Sequence, residues 1–414
     1  MNRSFYALLV SQTTTNLGFA LYTMVVVLHL YNETGSTALS AAVTVVSVIA
    51  RMVSGIILPA VSDRFQLTYL LKFAQMSQLL LLACLVIVFQ QELTAAILVI
   101  IFMILAIISF LNGFFSPIKS SLVKTIVDKS MRVKANSLIS SVDQTFLFAG
   151  WTFGGMLLAF LGKETTFIFT FGMLIISIIS LFFVRVQRSI PIQSQDGFVA
   201  RITSGWKHLF SHQGLRILVI MDLMEAWVGT IWIGAVTLTF AQEALGKGET
   251  WWGYINGGYY LGTILGGLIV LRFSKWMQGR LTIFMLAGSF IFGLLTFIYG
   301  FVSQPYLALI LVLLMGPAYQ LRDLAQETMF QNSVEDQTLT KILAARSTLV
   351  QFIFILSVIG IGALTDLIGV RFIYILSGGL LIISAFYGFI HLYIKGNGAT
   401  LETEKVKVQT SSIT

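Results

Sequence analysis

Apolar runs of about twenty residues, separated by short polar stretches, recur along the whole chain. They cover approximately residues 5–30, 39–61, 68–90, 94–118, 136–161 and 165–186. A longer polar segment follows, and then come runs at 214–241, 250–272, 281–302, 306–328, 342–364 and 371–394. At 1.5 Å of rise per residue, each run is long enough to cross a hydrocarbon core of ~30 Å as a helix. The pattern predicts an all-α membrane protein with twelve transmembrane helices in two six-helix halves, 1–186 and 214–394. A central loop at 187–213 joins the halves, and a polar tail at 395–414 is expected to be disordered. No cleavable signal peptide is expected, because the first apolar segment, Phe5–Tyr31, is longer than a signal-peptide core and lacks a small-residue cleavage site.

Within the central loop, Phe198, Ile202, Trp206, Leu209 and Phe210 recur at helical spacing, with Arg201 and Lys207 off that stripe. This predicts an amphipathic helix lying in the membrane interface. The halves also echo each other. An offset of 207 places Lys134 on Lys341, Ser140 on Ser347, Gln144 on Gln351, Gly155 on Gly362 and Gly162 on Gly369. An offset of 211 places Gly18 on Gly229, Gly55 on Gly266 and Arg64 on Lys275. A parallel repeat with a site between its halves near the midplane is the architecture such an echo implies.

Composition agrees with the pattern. The chain has 414 residues, 57% of them hydrophobic and only 11% charged, against about a quarter charged in soluble domains. The net charge of +8 has a topological source rather than a nucleic-acid one. Arg64, Lys72, Lys124, Lys129, Arg132, Lys134, Arg185, Arg188, Arg272, Lys275, Arg280 and Lys395 all fall in loops predicted on one side. The opposite loops hold only Lys163, Lys247 and Arg371. Both termini and the central loop are therefore expected to be cytoplasmic, with the protein multi-pass in a bacterial inner membrane. A single Cys84 and four scattered His leave no disulfide framework and no expected metal or cofactor. No Walker-type loop and no nucleophile–His arrangement points to an ATP-driven pump or a membrane enzyme.

One apolar run carries two acids. In Met221–Trp232, positions 222, 225, 229 and 232 share one helical face, so Asp222, Glu225, Gly229 and Trp232 look the same way. An acid at the centre of a membrane helix costs roughly 2.5–3.5 kcal/mol on the insertion scale. Counted from Arg216 near the interface, Glu225 lies about 13 Å deeper, near the midplane. Such carboxyls can exchange a proton with a water-filled cavity, or sit in a fixed pair with Arg or Lys from a neighbouring helix.

Three stretches resemble the major facilitator superfamily, and within it the drug:proton antiporter group that contains macrolide efflux proteins and the enterobactin exporter. They are Tyr31–Ala38 after the first span, Gly55–Arg64 with its terminal Asp63-Arg64 pair, and Gly205–Arg216 leading into the seventh span. The chain departs from the superfamily's loop at Pro59, Gln66, Leu67 and Thr68. In the fifth span, Gly150-Trp-Thr-Phe-Gly-Gly155 is similar to the antiporter signature with Trp151 in place of proline. The resemblance implies alternating access, export of an amphipathic organic compound by proton antiport, and a cavity lined by spans 1, 4, 7 and 10. A proton-coupled importer and, less directly, a non-transporting membrane sensor or scaffold are the alternative readings.

On this frame the candidate residues fall into three sets. Glu225, Asp222 and Asp143 are candidates for proton coupling, although Asp143 could equally pair with Lys119 in a gate. Gln12, Asn16, Tyr22, Asn112, Ser116, Trp227, Trp232, Asn256, Tyr259 and Tyr319 are candidates for substrate contact; Asn and Gln also serve as interhelical hydrogen-bond glue. Arg51, near the midplane of the second span, could neutralise the acids, bind an anionic substrate or form a fixed bond. Asp63 and Arg64, with Lys119, Arg322, Asp323, Glu327 and Arg346, are expected to form charged gates. The expected partners are a small molecule, protons and the lipid bilayer, and the expected functional unit is a monomer.

Overall fold

The computed structural model describes residues 1–186, 197–232 and 235–395, and every regular element in them is helical. The first half contains α1 (Arg3–Thr34), α2 (Thr37–Ser62), α3 (Leu67–Val88), α4 (Ala95–Asn112), α5 (Phe115–Ile126) and α6 (Arg132–Phe182). A short helix, α7 (Phe198–Ser211), precedes the second half. That half contains α8 (Gln213–Val228), α9 (Ala235–Thr239), α10 (Glu249–Gln278), α11 (Leu281–Tyr299), α12 (Pro305–Ser333), α13 (Asp336–Ile368) and α14 (Val370–Gly388). Ten helices among the described residues are long and apolar enough to cross a bilayer. Gln213–Trp232 with Val236–Ala244 passes the same measure as a bent pair, which brings the number among the described residues to eleven if the pair is one span. The belt that faces lipid is apolar: Leu80, Ile168 and Ile359 are each more than two-thirds exposed.

Local chemistry sets the boundaries. Asn2, Ser36 and Thr94 cap α1, α2 and α4 by accepting from the backbone N–H three residues on. Four glycines have positive φ: Gly35 (64°), Gly162 (78°), Gly246 (63°) and Gly369 (84°). They form two pairs, one at the 211-residue offset and one at 207, so the two halves turn their chains at equivalent places with the same left-handed device. Gly162 divides α6 into a limb over 132–161 and a second limb, Gly162–Phe182. No atom lies within 4 Å of a Cβ built on Gly369, so substitution there is a backbone effect alone. Gly369→Ala is expected to cost about 1–3 kcal/mol, the usual range for such conformations. Gly362→Ala, helical and equally open, should cost nothing, and thermal melts of the two purified variants make the comparison.

Each half has two apolar cores stacked along the bundle axis. In the first half, one core contains Phe5, Leu58 and Leu71 and the other Val25, Leu85 and Leu105. In the second half, one contains Met221 and Met329 and the other Val228, Phe240 and Tyr374. A polar layer separates the cores in both halves. In the first it is neutral: the Gln75 amide donates to Ser11 (3.1 Å) and Thr15 (2.8 Å) and contacts Ser177. In the second it is charged, and Asp222 stands 211 residues after Ser11.

The halves meet along two related seams. A Cβ on Gly55 of α2 would lie 2.4 Å from the Thr348 hydroxyl of α13, and one on Gly267 of α10 would lie 2.1 Å from the Ser141 hydroxyl of α6. Small residues there let the helices approach closely.

Three expectations need correction. The run Met221–Trp232 is not one α-helix: α8 stops at Val228, and Gly229–Trp232 is a 3₁₀ turn. The fourth span is longer than predicted, running over Ala95–Ile126 with a turn at 113–114 between α4 and α5. Helix α7 forms, but it docks through Arg201, Gly205 and Leu209, which are buried, whereas Phe198 and Phe210 are exposed. Gly205 abuts the Lys341 carbonyl so closely that a Cβ would lie 2.4 Å away; α7 is therefore packed on α13, not simply laid on the interface. Residues 187–196 of the central loop, the tail beyond Lys395 and the side chains of 151–157 lie outside the described residues.

Candidate functional site

Between the halves lies a cavity of about 740 Å³. Its charged wall belongs to the second half. Arg322 of α12 donates from Nη2 to Asp222 Oδ1 and to Glu225 Oε2, both at 2.9 Å. Arg346 of α13 donates from Nε to Asp222 Oδ2 at 2.6 Å, from Nη2 to Oδ1 at 3.3 Å and from Nη1 to Glu327 Oε2 at 3.0 Å. The Arg346 guanidinium also sits 4.5 Å from the Phe330 ring centroid. Asp222 thus receives three hydrogen bonds from two arginines in a nearly dry setting. Glu225 has one contact, and Asp323, on the same wall, has none of these ion pairs. Opposite them, Lys119 of α5 pairs with Asp143 of α6 at 3.5 Å, and Thr13 of α1 donates to Asp143 at 3.3 Å.

The roof is aromatic. Trp232 and Tyr259 stack with centroids 6.0 Å apart and planes 9° from parallel, and Tyr319 touches both Tyr259 and Phe292. Asn16, Ser116, Ser140, Gln144 and Asn256 supply neutral polar groups.

At the end where the basic loops lie, hydrogen bonds and ion pairs between the halves close the floor. Asp63 of α2 pairs with Lys341 of α13 at 2.7 Å, and Lys124 of α5 with Asp336 at 3.2 Å. Arg132 donates to Asn332 at 2.7 Å, Asn136 to Thr328 and Gln331, Ser140 to Gln320, and Thr340 to Ser121. Ser120 donates to Glu327, so the carboxylate that Arg346 holds is also bound by the opposite half. The Asp63–Lys341 pair is mostly buried, and removing one partner is expected to cost this closure at least about 1 kcal/mol. Asp63→Asn should therefore admit a thiol reagent from the basic side about five times faster. The check is the labelling rate of a Ser116→Cys reporter, with the exposed Cys84 first changed to Ser.

Of the sequence candidates, Asn16, Ser116, Trp232, Asn256, Tyr259 and Tyr319 line this cavity, as do Asp143, Asp222, Glu225, Lys119, Arg322, Asp323, Glu327 and Arg346. Seven candidates do not, Asp63 of the floor among them. Gln12 is buried one helical turn nearer the basic end, and Tyr22 is packed inside the first half with Val25 and Leu82. Asn112 ends α4 and is outside the cavity lining. Trp227, two residues and so about 200° round the helix from Glu225, packs against Gly360 of α13. Arg51 lies over the Phe19 ring at 5.8 Å and pairs with neither acid of α8, whose partners are Arg322 and Arg346. Arg64 is exposed and outside the Asp63 pair. Sequence reasoning missed Ser120, Asn136 and Gln331. The repeat did mark Lys341, Ser140, Gln144 and Ser347, and the last three line the cavity.

A family model described as the Major Facilitator Superfamily matches residues 8–321. The uncharacterized MFS-type transporter YfmI of Bacillus subtilis (strain 168) is 48% identical over 397 residues, covering 95% of this chain and 98% of that one. The uncharacterized MFS-type transporter YjbB of the same strain is 30% identical over 351 residues, covering 84% and 85%. Among solved structures, a bacterial homologue of the iron transporter ferroportin in an outward-facing state superposes with a TM-score of 0.77 at 13% identity, over 94% of this chain and 99% of that one. The E. coli fucose:proton symporter FucP superposes with a TM-score of 0.71 at 11% identity, over 93% and 98%. These likenesses at low identity bear on the fold alone. With a family match over most of its length and a relative at nearly half identity, the chain belongs to the major facilitator superfamily: it is a multi-pass membrane secondary transporter that works by alternating access, and not an enzyme.

Proposed function

We propose that this transporter exports an amphipathic organic compound in exchange for protons, with its basic end in the cytoplasm. The observation that carries the reading is the imbalance on the α8–α12–α13 wall. Two guanidinium groups, Arg322 and Arg346, face four carboxyls, Asp222, Glu225, Asp323 and Glu327. Across the cavity Lys119 and Asp143 offset each other. Uncompensated charge in a low-dielectric cavity is costly, so the wall favours taking up a proton or another cation.

Glu225 is the better proton carrier of the α8 pair, because Asp222 is fixed as a carboxylate by both arginines while Glu225 shares one nitrogen of Arg322. Protonation of Glu225 leaves Arg322 more fully to Asp222. Arg346 is then less needed there and can shift toward Glu327, which is bound by Ser120 of the opposite half. A charge change at the cavity is in this way felt at the floor. The positive-inside bias of the loops supports the orientation, and the closed basic end corresponds to a state open to the outside.

The experiment is substrate movement in inverted vesicles under an imposed pH gradient. Uptake into the vesicles driven by an acid interior supports export with proton antiport. Movement in the same direction as the proton indicates the second reading, a proton-coupled importer. Movement that ignores the gradient removes proton coupling.

A further inference from the structure

Resting on the reading of this cavity as a transport site, we infer that its substrate is an organic cation with an aromatic or apolar body, held by Glu225 and Asp323 beneath Trp232, Tyr259 and Tyr319. Three observations converge. First, the surplus negative charge is localised. Asp222 and Glu327 are held by Arg346, and Asp222 by Arg322 as well. Glu225 has only a shared contact, and Asp323 lines the cavity outside the ion pairs.

Second, these two carboxyls lie beside the aromatic group. Glu225, Asp323, Tyr259 and Tyr319 all line the same cavity, Tyr319 meets Tyr259, and Trp232 stacks on Tyr259. Ring faces present negative potential, so the carboxyls and the rings attract the same sign of charge. An anion would meet both as repulsion. A neutral compound would leave the excess carboxyls to protons alone.

Third, the cavity suits a bulky guest better than a bare ion. Its volume is about 740 Å³, within the range of small-molecule sites. Among the described residues no three His, Cys, Asp or Glu side chains are grouped to hold a metal ion. The arginines between the acids keep the carboxyls from converging on one.

The test uses tetraphenylphosphonium, a permanent cation with an aromatic body, on the full-length protein in detergent. Triphenylphosphine oxide serves as a neutral aromatic control, and Mn²⁺ as a metal probe. Saturable tetraphenylphosphonium binding is expected, with little binding of the other two. The Glu225→Gln/Asp323→Asn double variant should bind it at least about tenfold more weakly, equivalent to 1.4 kcal/mol. Gly362→Ala, which lies outside the cavity, alters no charge and has open space for its Cβ, should leave affinity unchanged and serves as the control. Equal affinity for the neutral compound, binding unchanged in the double variant, or preference for Mn²⁺ would overturn the inference. A Ser116→Cys labelling rate measured against pH, divided at each pH by the rate of a free thiol so that thiolate formation cancels, keeps the two readings apart. A pH-dependent rate without tetraphenylphosphonium binding defeats the cation and leaves proton coupling standing. A rate indifferent to pH, with binding intact, does the reverse.

Discussion

Glu225→Gln is expected to reduce gradient-driven transport by at least about a hundredfold while the protein still folds. Gln keeps the volume and can accept from Arg322 Nη2 through its amide oxygen, so the hydrogen bond at Glu225 has a neutral replacement. The exchangeable proton is lost. A carrier locked in the neutral form can still change conformation, so downhill exchange of substrate across the membrane should survive where pH-driven accumulation does not. General acid–base groups that lose their titrating proton typically cost 10²–10⁴ in rate, and we take the lower bound because Asp323 lies on the same wall. The measurement is the initial rate of accumulation in vesicles with and without the pH gradient, beside exchange at equal pH. Wild-type accumulation in the variant would eliminate Glu225 as the carrier.

Arg322→Leu is expected to have the largest effect on stability. The guanidinium is nearly inaccessible and holds two carboxyls, of which Asp222 is equally inaccessible. Removing one member of a buried pair leaves an uncompensated charge and costs about 3–5 kcal/mol. The variant should therefore melt well below the wild type or fail to accumulate in the membrane. The double variant Arg322→Leu/Asp222→Asn removes charge of both signs and should recover much of the loss, although Arg346 then keeps only Glu327 as an ionic partner. Melting temperatures of the single and double variants decide it. Equal destabilisation in both would mean that the arginine acts by packing rather than by charge.

The parts of this site legible in the sequence were those with a high local cost. Asp222 and Glu225 drew notice because an acid in an apolar span is expensive, and Arg322 and Arg346 for the same reason. Depth alone sufficed to bring Lys119 and Asp143 together. Side-chain azimuth was less legible. Trp227 stands beside the acids in the sequence, but two residues on a helix turn it about 200° from Glu225 and against Gly360, whereas Trp232, on the acid face, does enter the cavity. The floor was hardest to see. Ser120, Asn136 and Gln331 are ordinary polar residues near helix ends, and only packing of the halves turns them into a seal. Arg51 failed as a partner for the acids because no property of α2 alone tells which helix its cation faces.

That seal is made mainly of side-chain hydrogen bonds and a few ion pairs, and its composition sets the energetics of the cycle. When the floor opens, water enters and each donor and acceptor exchanges its partner for solvent, so a typical bond changes the balance by only ~0.5–1.5 kcal/mol. A greasy plug of the same area would lose about 25 cal/mol per Å² on wetting, with nothing to replace it. Turning a population from one end open to the other takes about 5.5 kcal/mol of differential binding. A floor so nearly isoenergetic with its hydrated form leaves that reversal within reach of one proton and one guest. It also makes the protein's resting state sensitive to water activity: osmolytes excluded from the cavity should favour the conformation with the smaller hydrated volume.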